Sequence, residues 1–202
     1  DEDLILVKSR DGMTIEEEDI IAAMTDEVQL ALLPSIYYKS GQLLDMGRMT
    51  EEAHKRGIIV GFDCSHSTGV VPHHFSKWGS DFAFWCNYKY MNGGPGSTGS
   101  IYVNKKHWDE MPGMAGWFGN NRSTMFEMRQ KFDSAGSATA WQIGTTTMLS
   151  TAPIEGSLRM MREAGIENIR EKSLKITGYL MYLIDEMLSG EPYNYGIATP
   201  RE

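Results

Sequence analysis

The sequence predicts an α/β fold in three layers, with a mostly parallel sheet covered by helices on both faces. Two observations support this prediction. Short apolar runs of four to six residues recur through the first half of the 202-residue chain, and segments with apolar residues at helical spacing lie between them. Strands that alternate with helices in this way form βαβ units, which build a parallel sheet buried on both faces.

The first half is predicted to begin with a strand at Leu4–Val7. Thr14 and Glu17 have the spacing of a capping box, in which two side chains close the start of a helix. A further helix is predicted at Met46–Arg56, where Gly57 ends it. The remaining strands are predicted at the other apolar runs, Val28–Leu33, Ile58–Phe62, Asp81–Cys86 and Gly99–Val103.

Two long helices are predicted in the second half, at Thr146–Ala164 and Ile166–Ser189, because both segments carry apolar stripes. A Gly-Glu-Pro sequence ends the second helix, and Tyr193–Thr199 is predicted to be the first strand of another domain. We therefore expect residues 1–190 to belong to a large domain and residues 191–202 to begin a small C-terminal domain.

The composition is that of a soluble globular chain, with 41% hydrophobic and 23% charged residues. No apolar run approaches the roughly 18 residues that a membrane span requires. The net charge is −8 and the basic residues are scattered along the chain. Neither nucleic acid nor a membrane is therefore an expected partner.

The cysteines and the chain ends carry further information. Cys64 and Cys86 form no CxxC pair, which favours reduced thiols in a cytoplasmic protein. No metal site is expected, because His73 and His74 are adjacent and no cysteine cluster accompanies them. The chain begins at Asp1 without a methionine and stops soon after a new segment starts, so we expect it to be a fragment.

Polar residues that follow two of the predicted strands are candidates for a functional site. Asp63 follows the Ile58–Phe62 run, and Lys89 follows the Asp81–Cys86 run ahead of a glycine-rich turn. In open α/β sheets ligands bind beyond the carboxyl ends of the strands, so both residues should face one crevice. Lys89 lies between aromatic residues, where poor solvation would lower the pKa of an amine and make it more nucleophilic.

A lysine and a carboxylate in this arrangement suit pyridoxal 5′-phosphate (PLP). The lysine holds the aldehyde end of that cofactor, and the carboxylate keeps the pyridine nitrogen protonated so that the ring accepts electrons. Each residue also has a simpler interpretation. Lys89 could be a solvated surface lysine, Asp63 could cap a helix, and His66, three residues after Asp63, could be a structural histidine.

Four stretches, in this order and with these spacings, resemble the kynureninases: GFDCSHSTG, DFAFWCNYKYMNGGPGS, GWFGN and WQIGTTT. Kynureninases are PLP enzymes with the aspartate aminotransferase fold, so the resemblance implies the large domain of a PLP-dependent transferase. It runs through essentially the whole chain and covers about the middle half of such an enzyme. The string NYKYMNGGPG is its specific part, because GFD followed by a lysine also occurs in cysteine desulfurases.

The resemblance implies a role for four residues near the predicted crevice. Lys89 would be the Schiff-base lysine and Asp63 the partner of the pyridinium nitrogen. Tyr88 would bind the cofactor phosphate and assist proton transfer, and His66 would lie beside the ring. Lys89, Asp63 and Tyr88 are thus the expected catalytic residues.

The resemblance also implies a homodimer with shared active sites. Trp117 of GWFGN and Thr145 of WQIGTTT would reach the cofactor phosphate from the neighbouring subunit. A core tryptophan and a threonine that caps a helix are the simpler interpretations of these two residues. The pair Pro34-Ser35 departs from the family, whose members have a small residue there that touches the cofactor.

The implied activity is hydrolysis of L-kynurenine or 3-hydroxykynurenine to L-alanine and anthranilate or 3-hydroxyanthranilate. This reaction belongs to tryptophan catabolism and to the kynurenine pathway that leads to NAD biosynthesis. Two alternatives stay open. A cysteine desulfurase or selenocysteine lyase would share the fold, but it needs a nucleophilic cysteine on a downstream loop, and neither Cys64 nor Cys86 is so placed. The chain could also be a catalytically silent cofactor-binding module.

Overall fold

The structure is a computed structural model in which residues 3–201 are described. Its sheet has four strands in the order in which they occur along the chain, and the first three are parallel while the fourth is antiparallel to the third. The α/β class and the mostly parallel sheet are therefore confirmed. The strands are β1 Leu30–Pro34, β2 Ile59–Asp63, β3 Phe82–Cys86 and β4 Gly99–Val103.

Five α-helices and four short 3₁₀ turns accompany the sheet. The predicted bounds of the three longest helices are confirmed to within two residues. In residues 3–201, no helix combines the length and the apolar character that crossing a membrane would require. The helices are α1 Glu17–Ala23, α2 Met46–His54, α3 Phe75–Trp78, α4 Met148–Ala164 and α5 Ile166–Leu188, and the 3₁₀ turns are Lys105–His107, Trp117–Gly119, Met125–Glu127 and Ala138–Trp141.

The core lies between one face of the sheet and the first three helices. Val60, Phe62 and Ala83 lie on this face, and Met49 and Ala53 of α2 belong to the same cluster, all of them with no exposed surface. Removing side chains such as Val60, Phe62 and Met49 from water contributes roughly 1.5–3 kcal/mol each. This packing fixes β2 and β3 side by side and so places the loops that follow them.

The opposite face of the sheet is not covered to the same extent. Leu30, Leu32, Ile59 and Ile101 expose between 44% and 55% of their surface. They alternate along their strands with the buried residues, as the period of two in a β-strand requires. Over β1 and β2, the described residues therefore supply one of the two helical layers that the sequence predicts.

Two predicted strands are not formed. Leu4–Val7 has no regular secondary structure, and the side chains of Leu4, Ile5 and Leu6 are exposed. Tyr193–Thr199 likewise contains turn and irregular backbone. A strand needs a neighbour for its backbone hydrogen bonds, and neither apolar run has one among residues 3–201.

The predicted capping box is also wrong. Helix α1 begins after Glu16, and no side chain caps its first turn. The hydroxyl of Thr14 instead donates a hydrogen bond to the carboxylate of Asp11, at 2.9 Å. The carboxylate of Glu17 accepts hydrogen bonds from the backbone N–H of Asp45 and from Arg48. Both side chains of the motif therefore form hydrogen bonds elsewhere and not with the helix terminus.

Candidate active site

The candidate site lies at the carboxyl ends of β2 and β3. The register of these parallel strands pairs Asp63 with Phe84, so the loops that leave them start at one edge of the sheet. The first loop, residues 63–71, is joined to β3 by the hydrogen bond that Cys64 N–H donates to the carbonyl of Phe84, at 2.8 Å. The second loop, residues 87–98, carries Lys89. The two candidate residues therefore face one crevice, as the strand order predicts.

Lys89 contacts His66 across this crevice. The Nζ atom of Lys89 lies 2.9 Å from Nε2 of His66 and 5.9 Å from the centre of the Tyr88 ring. The side chain is half-buried, and no carboxylate in the described part of the chain forms an ion pair with it. Because Lys89 has no carboxylate partner among these residues, a ligand that binds its amine has no ion pair to break.

His66 can act as that acceptor because it is neutral at physiological pH. Partial burial and the neighbouring charge of Lys89 lower the pKa of its imidazole, and the carboxylate of Asp63 only partly opposes them. The ring also stacks on Tyr38, with a distance of 6.0 Å between the ring centres and an angle of 25° between the planes. This contact fixes the orientation of the imidazole.

Asp63 has a carboxylate oxygen available for a ligand. Its Oδ1 accepts a hydrogen bond from the backbone N–H of Ser65, at 2.9 Å. Its Oδ2 accepts none from residues 3–201. The charge of Asp63 is close enough to influence both His66 and Tyr88. A protonated ring nitrogen that entered the crevice would find this oxygen without displacing a protein partner.

Tyr88 stands at the mouth of the site with its ring half exposed. The neighbouring Cys86 has the largest effect on the phenol and raises its pKa, and partial desolvation and the negative charge of Asp63 act in the same direction. The phenol therefore stays protonated at neutral pH and can donate a hydrogen bond to an anion.

Sequence reasoning did not identify Asn87, whose side chain organises the lysine loop. Asn87 is buried, and its Nδ2 donates hydrogen bonds to the carbonyl of Thr98, at 2.6 Å, and to the hydroxyl of Ser100, at 2.8 Å. The backbone carbonyl of Asn87 accepts from Gly93 N–H, at 2.7 Å. An asparagine directly after a strand and ahead of a glycine pair was the available signal, since such residues close turns.

Two glycines allow close approaches at the site: Gly93 within the lysine loop, and Gly69 between the two loops. A Cβ on Gly93 would lie 2.5 Å from the hydroxyl of Ser97 and 2.8 Å from the carbonyl oxygen of Asn87. A Cβ on Gly69 would lie 2.7 Å from the carbonyl oxygen of Tyr90, and its φ of +95° also disfavours other residues. The contact between the loop of Asp63 and the loop of Lys89 therefore depends on glycine.

Trp117 and Thr145 lie apart from this cluster. The segments that carry them are adjacent, since a Cβ on Gly116 would lie 2.2 Å from the carbonyl oxygen of Ile143. Trp117 is partly exposed and packs edge-on against Phe126, with 5.8 Å between the ring centres, and Thr145 is exposed. In residues 3–201, neither forms a hydrogen bond or a ring contact with Lys89, Asp63 or His66.

The chain is similar in sequence to proteins named kynureninase. It is 55% identical over 199 residues to the kynureninase of Geobacillus thermodenitrificans, which covers 98% of this chain and 46% of that protein. It is 51% identical over 202 residues to the kynureninase of Shouchella clausii, which covers 100% of this chain and 47% of that protein. The chain thus spans about half the length of the curated relatives it matches.

Solved structures with the same fold are more distant in sequence. The cysteine desulfurase of Thermococcus onnurineus NA1 in its apo form has a TM-score of 0.72 at 16% identity, over 90% of this chain and 44% of that one. A mutant of C-DES with glycine covalently linked to its PLP cofactor has a TM-score of 0.71 at 16% identity, over 85% of this chain and 45% of that one. These similarities establish the fold.

The assignment to a family is made by the sequence profile that describes it. The profile of the aminotransferase class-V family matches residues 3–200. This range includes all four strands, all five helices and both loops of the candidate site. The chain therefore belongs to the aminotransferase class-V family.

Proposed function

We propose that the protein containing this chain is a PLP-dependent hydrolase of tryptophan catabolism. It cleaves L-kynurenine or 3-hydroxykynurenine into L-alanine and anthranilate or 3-hydroxyanthranilate. The observation that carries this proposal is the Lys89 amine, 2.9 Å from His66 at the sheet edge where Asp63 ends β2. The substrate class follows from identities of 51% to 55% to proteins named kynureninase.

The described residues fit the cofactor at two of its ends. Lys89 has no carboxylate partner that would compete for its amine, and Asp63 keeps one oxygen free for a protonated ring nitrogen. Tyr88 would donate its phenol hydrogen to the phosphate. When bound, PLP would supply an electron sink that stabilises negative charge at the α-carbon of the substrate. The carboxylate of Asp63 keeps the ring protonated, which this stabilisation requires.

Lys89 then serves as the base of the reaction. With cofactor and substrate bound, the Nζ of Lys89 would be placed to remove the proton on the α-carbon of the substrate. His66 holds that nitrogen in the crevice through the 2.9 Å contact. Because His66 is neutral, it adds no positive charge that would oppose the uptake of a proton by Lys89.

Tyr88 is the proposed proton donor at the bond that breaks. Water adds to the ketone of the substrate side chain, the adjacent carbon–carbon bond breaks, and the carbon that remains with the amino acid takes up a proton. The phenol of Tyr88 is protonated at neutral pH, as a donor must be, because its pKa lies above the ordinary value of 10.

The proposal also includes a homodimer, a division into two domains and a location in the cytoplasm. A homodimer would place Trp117 and Thr145 at the cofactor phosphate of the other subunit, and their exposure supports this role. Residues 1–190 would belong to the large cofactor-binding domain and residues 191–202 would begin the small domain. The enzyme would act in the cytoplasm, where its two free cysteines stay reduced.

A cysteine desulfurase activity has less support, although the fold is shared. That activity needs a reactive thiolate. Burial raises the pKa of the Cys64 thiol to about 11, so it stays protonated and inert at neutral pH. Cys64 directly follows Asp63 in its loop and has no exposed surface. Its place in the core is structural.

The proposal is tested in the full-length protein that contains this chain, loaded with PLP. We expect L-kynurenine to release anthranilate, which is followed by its fluorescence. Lys89→Ala should abolish multiple turnover, whereas Lys77→Ala, a change of an exposed lysine on α3, should leave it intact. After borohydride reduction, the cofactor should be found on the tryptic peptide of Lys89. Release of sulfide from L-cysteine, with no anthranilate from kynurenine, would assign the desulfurase activity instead.

A further inference from the structure

A chain of buried hydrogen bonds lies behind the loop that carries Asp63 and His66. The hydroxyl oxygens of Ser35 and Ser67 are 2.7 Å apart, and the hydroxyl of Ser67 is 2.8 Å from Nε2 of His73. Ser35 follows β1, Ser67 lies in the candidate site loop, and His73 precedes α3. The chain therefore joins three separate parts of the structure.

Burial makes these bonds costly to lose. Ser35 and Ser67 have no exposed surface. A hydroxyl buried without a partner is destabilising. Besides each other, the Ser35 hydroxyl has the carbonyl of Asp63, at 2.9 Å, and the Ser67 hydroxyl has His73 and the carbonyl of Cys64, at 3.3 Å. Ser35 also lies against the backbone of the site. Its N–H and its hydroxyl are both 2.9 Å from the carbonyl oxygen of Asp63. The end of β2 is thus tied to β1 at the residue that bears the candidate carboxylate.

Ser67 is the central member of this chain, because its hydroxyl contacts both Ser35 and His73. Burial lowers the pKa of His73 to about 4, so at neutral pH its ring carries one proton. In one arrangement Ser35 donates to Ser67, and Ser67 donates to Nε2 of His73. In the other, Nε2 of His73 donates to Ser67, Ser67 donates to Ser35, and Ser35 donates to the carbonyl of Asp63. Ser67 both donates and accepts in either direction, because each hydroxyl has one hydrogen.

Apart from its contacts with Ser35, the loop between Asp63 and Ser67 is attached to β3 and to the lysine loop. Cys86 N–H donates a hydrogen bond to the hydroxyl of Ser65, at 3.3 Å, and His66 contacts Lys89. Cys64 N–H is bonded to β3, and the N–H groups of Ser67 and Thr68 return to the carbonyl of Cys64 within the loop itself. The side chain of Ser67 is therefore a principal link between this loop and the neighbouring β1. His66 lies directly before it.

We propose that Ser67, bonded to Ser35 and His73, is a positioning residue that holds Asp63 and His66 in the geometry needed for the cofactor. The part that concerns the cofactor rests on the proposed function, whereas the part that concerns the loop does not. Ser67 touches no reacting atom. It acts through the backbone of Asp63 and through the position of its neighbour His66.

The test compares Ser67→Ala with Ser80→Ala. Ser80 is a matched control, because it has no exposed surface, its hydroxyl is 2.9 Å from that of Thr50, and it lies at the other end of the sheet. Three quantities are measured. The first two are the dissociation constant of PLP in the full-length protein and amide hydrogen exchange of residues 63–69 without PLP. The induced circular dichroism of bound PLP reports the orientation of the ring.

Ser67→Ala should raise the dissociation constant of PLP about threefold to tenfold, the effect of one lost buried hydrogen bond. It should also speed exchange in residues 63–69 and change the induced dichroism. Ser80→Ala should leave all three unchanged. Combining Ser67→Ala with Asp63→Asn should give less than the product of the separate effects, because both act on one contact to the cofactor.

The proposal is overturned if Ser67→Ala leaves exchange in residues 63–69 as in the unmodified protein, or if Ser80→Ala produces the same changes. If the unmodified protein binds no PLP, the proposed function fails, and hydrogen exchange still decides the role of Ser67 in the loop. Should Ser67→Ala not fold, His73→Gln with the exposed His74→Gln as its control gives the same comparison.

Discussion

The Nζ of Lys89 lies 2.9 Å from the Nε2 of His66, and the two residues belong to loops that follow neighbouring strands. The contact spans a separation of 23 residues along the chain. It exists because β2 and β3 are parallel and end at the same edge, and because Gly69 lets the two loops touch. Four predictions follow from the geometry around it and from the packing that supports it.

Replacing His66 should weaken the site without unfolding the protein. His66→Asn removes the Nε2 atom that contacts Lys89 and the ring that stacks on Tyr38, and its shorter side chain leaves no acceptor at the same place. A hydrogen bond from a charged donor contributes about 1.5–3 kcal/mol, so kcat/KM for kynurenine should fall by about tenfold or more. The measurement is the initial rate of anthranilate release. Unchanged kcat/KM in His66→Asn would show that the contact has no part in turnover.

Asp63→Asn should lower the rate of catalysis while PLP still attaches to Lys89. Lys89 is unaffected, so borohydride should still attach PLP to its peptide. The rate constant kcat should fall by about 10²–10³, the usual cost of one lost stabilising group at a reacting centre. Asp63→Glu, which keeps the charge, should retain more activity than Asp63→Asn. Equal activity of the two variants would contradict the role of the charge.

Asp81 should be a major contributor to stability at the end of the sheet remote from the site. It is buried, and its carboxylate accepts hydrogen bonds from Val60 N–H, His54 and His107 and pairs with Lys106. Asp81→Asn leaves these donors without an anion, at a cost of about 1.5–3 kcal/mol for each bond to a charged group that is lost. Urea unfolding measures this change.

The loss from Asp81→Asn should depend on pH. Burial opposes the ionisation of Asp81, but its partners outweigh burial and hold the pKa of the carboxyl below its usual value of 3.8. Burial likewise lowers the pKa of His107, and Glu110 and Asp81 outweigh it and raise that pKa above 6.5. The contribution of Asp81 is present above pH 4 and lost as the pH falls further, while that of His107 is lost as the pH rises past its raised pKa.

The difference in unfolding free energy between the unmodified protein and Asp81→Asn should therefore be largest near pH 5 to 6, in about the window between these two pKa values. It should shrink towards pH 3. A difference that stays constant from pH 3 to pH 8 would mean that the charge of Asp81 is not the source of its effect.

Glycine-to-alanine substitutions should have opposite effects on stability in the lysine loop and in the exposed helix α5. Gly93→Ala brings a Cβ within 2.5 Å of the Ser97 hydroxyl, and such crowding costs about 1–3 kcal/mol. Gly178→Ala lies within α5 with no atom closer than 4 Å and should stabilise by up to about 1 kcal/mol. Thermal unfolding checks both signs. Equal effects would exclude crowding as the cause.

Much of the fold follows from local sequence patterns. The strands at Ile59–Asp63 and Gly99–Val103 and the helix at Ile166–Leu188 match their predictions because hydrophobic period and helix-breaking residues act over a few neighbours. The sequence also predicted that Asp63 and Lys89 follow buried strands and face one crevice, since the carboxyl ends of parallel strands form one edge of the sheet. These features need no knowledge of distant contacts.

Other features were decided only by the tertiary structure. Leu4–Val7 has the composition of a strand but no partner among the described residues, and the hydroxyl of Thr14 bonds to Asp11 rather than to the helix. The contact of Lys89 with His66 and the buried bond of Ser67 with His73 join residues that no local pattern connects. The sequence by itself thus determined which residues end the strands. Only packing decided which of them meet, because hydrogen bonds between distant residues form where the fold brings donor and acceptor within about 3 Å.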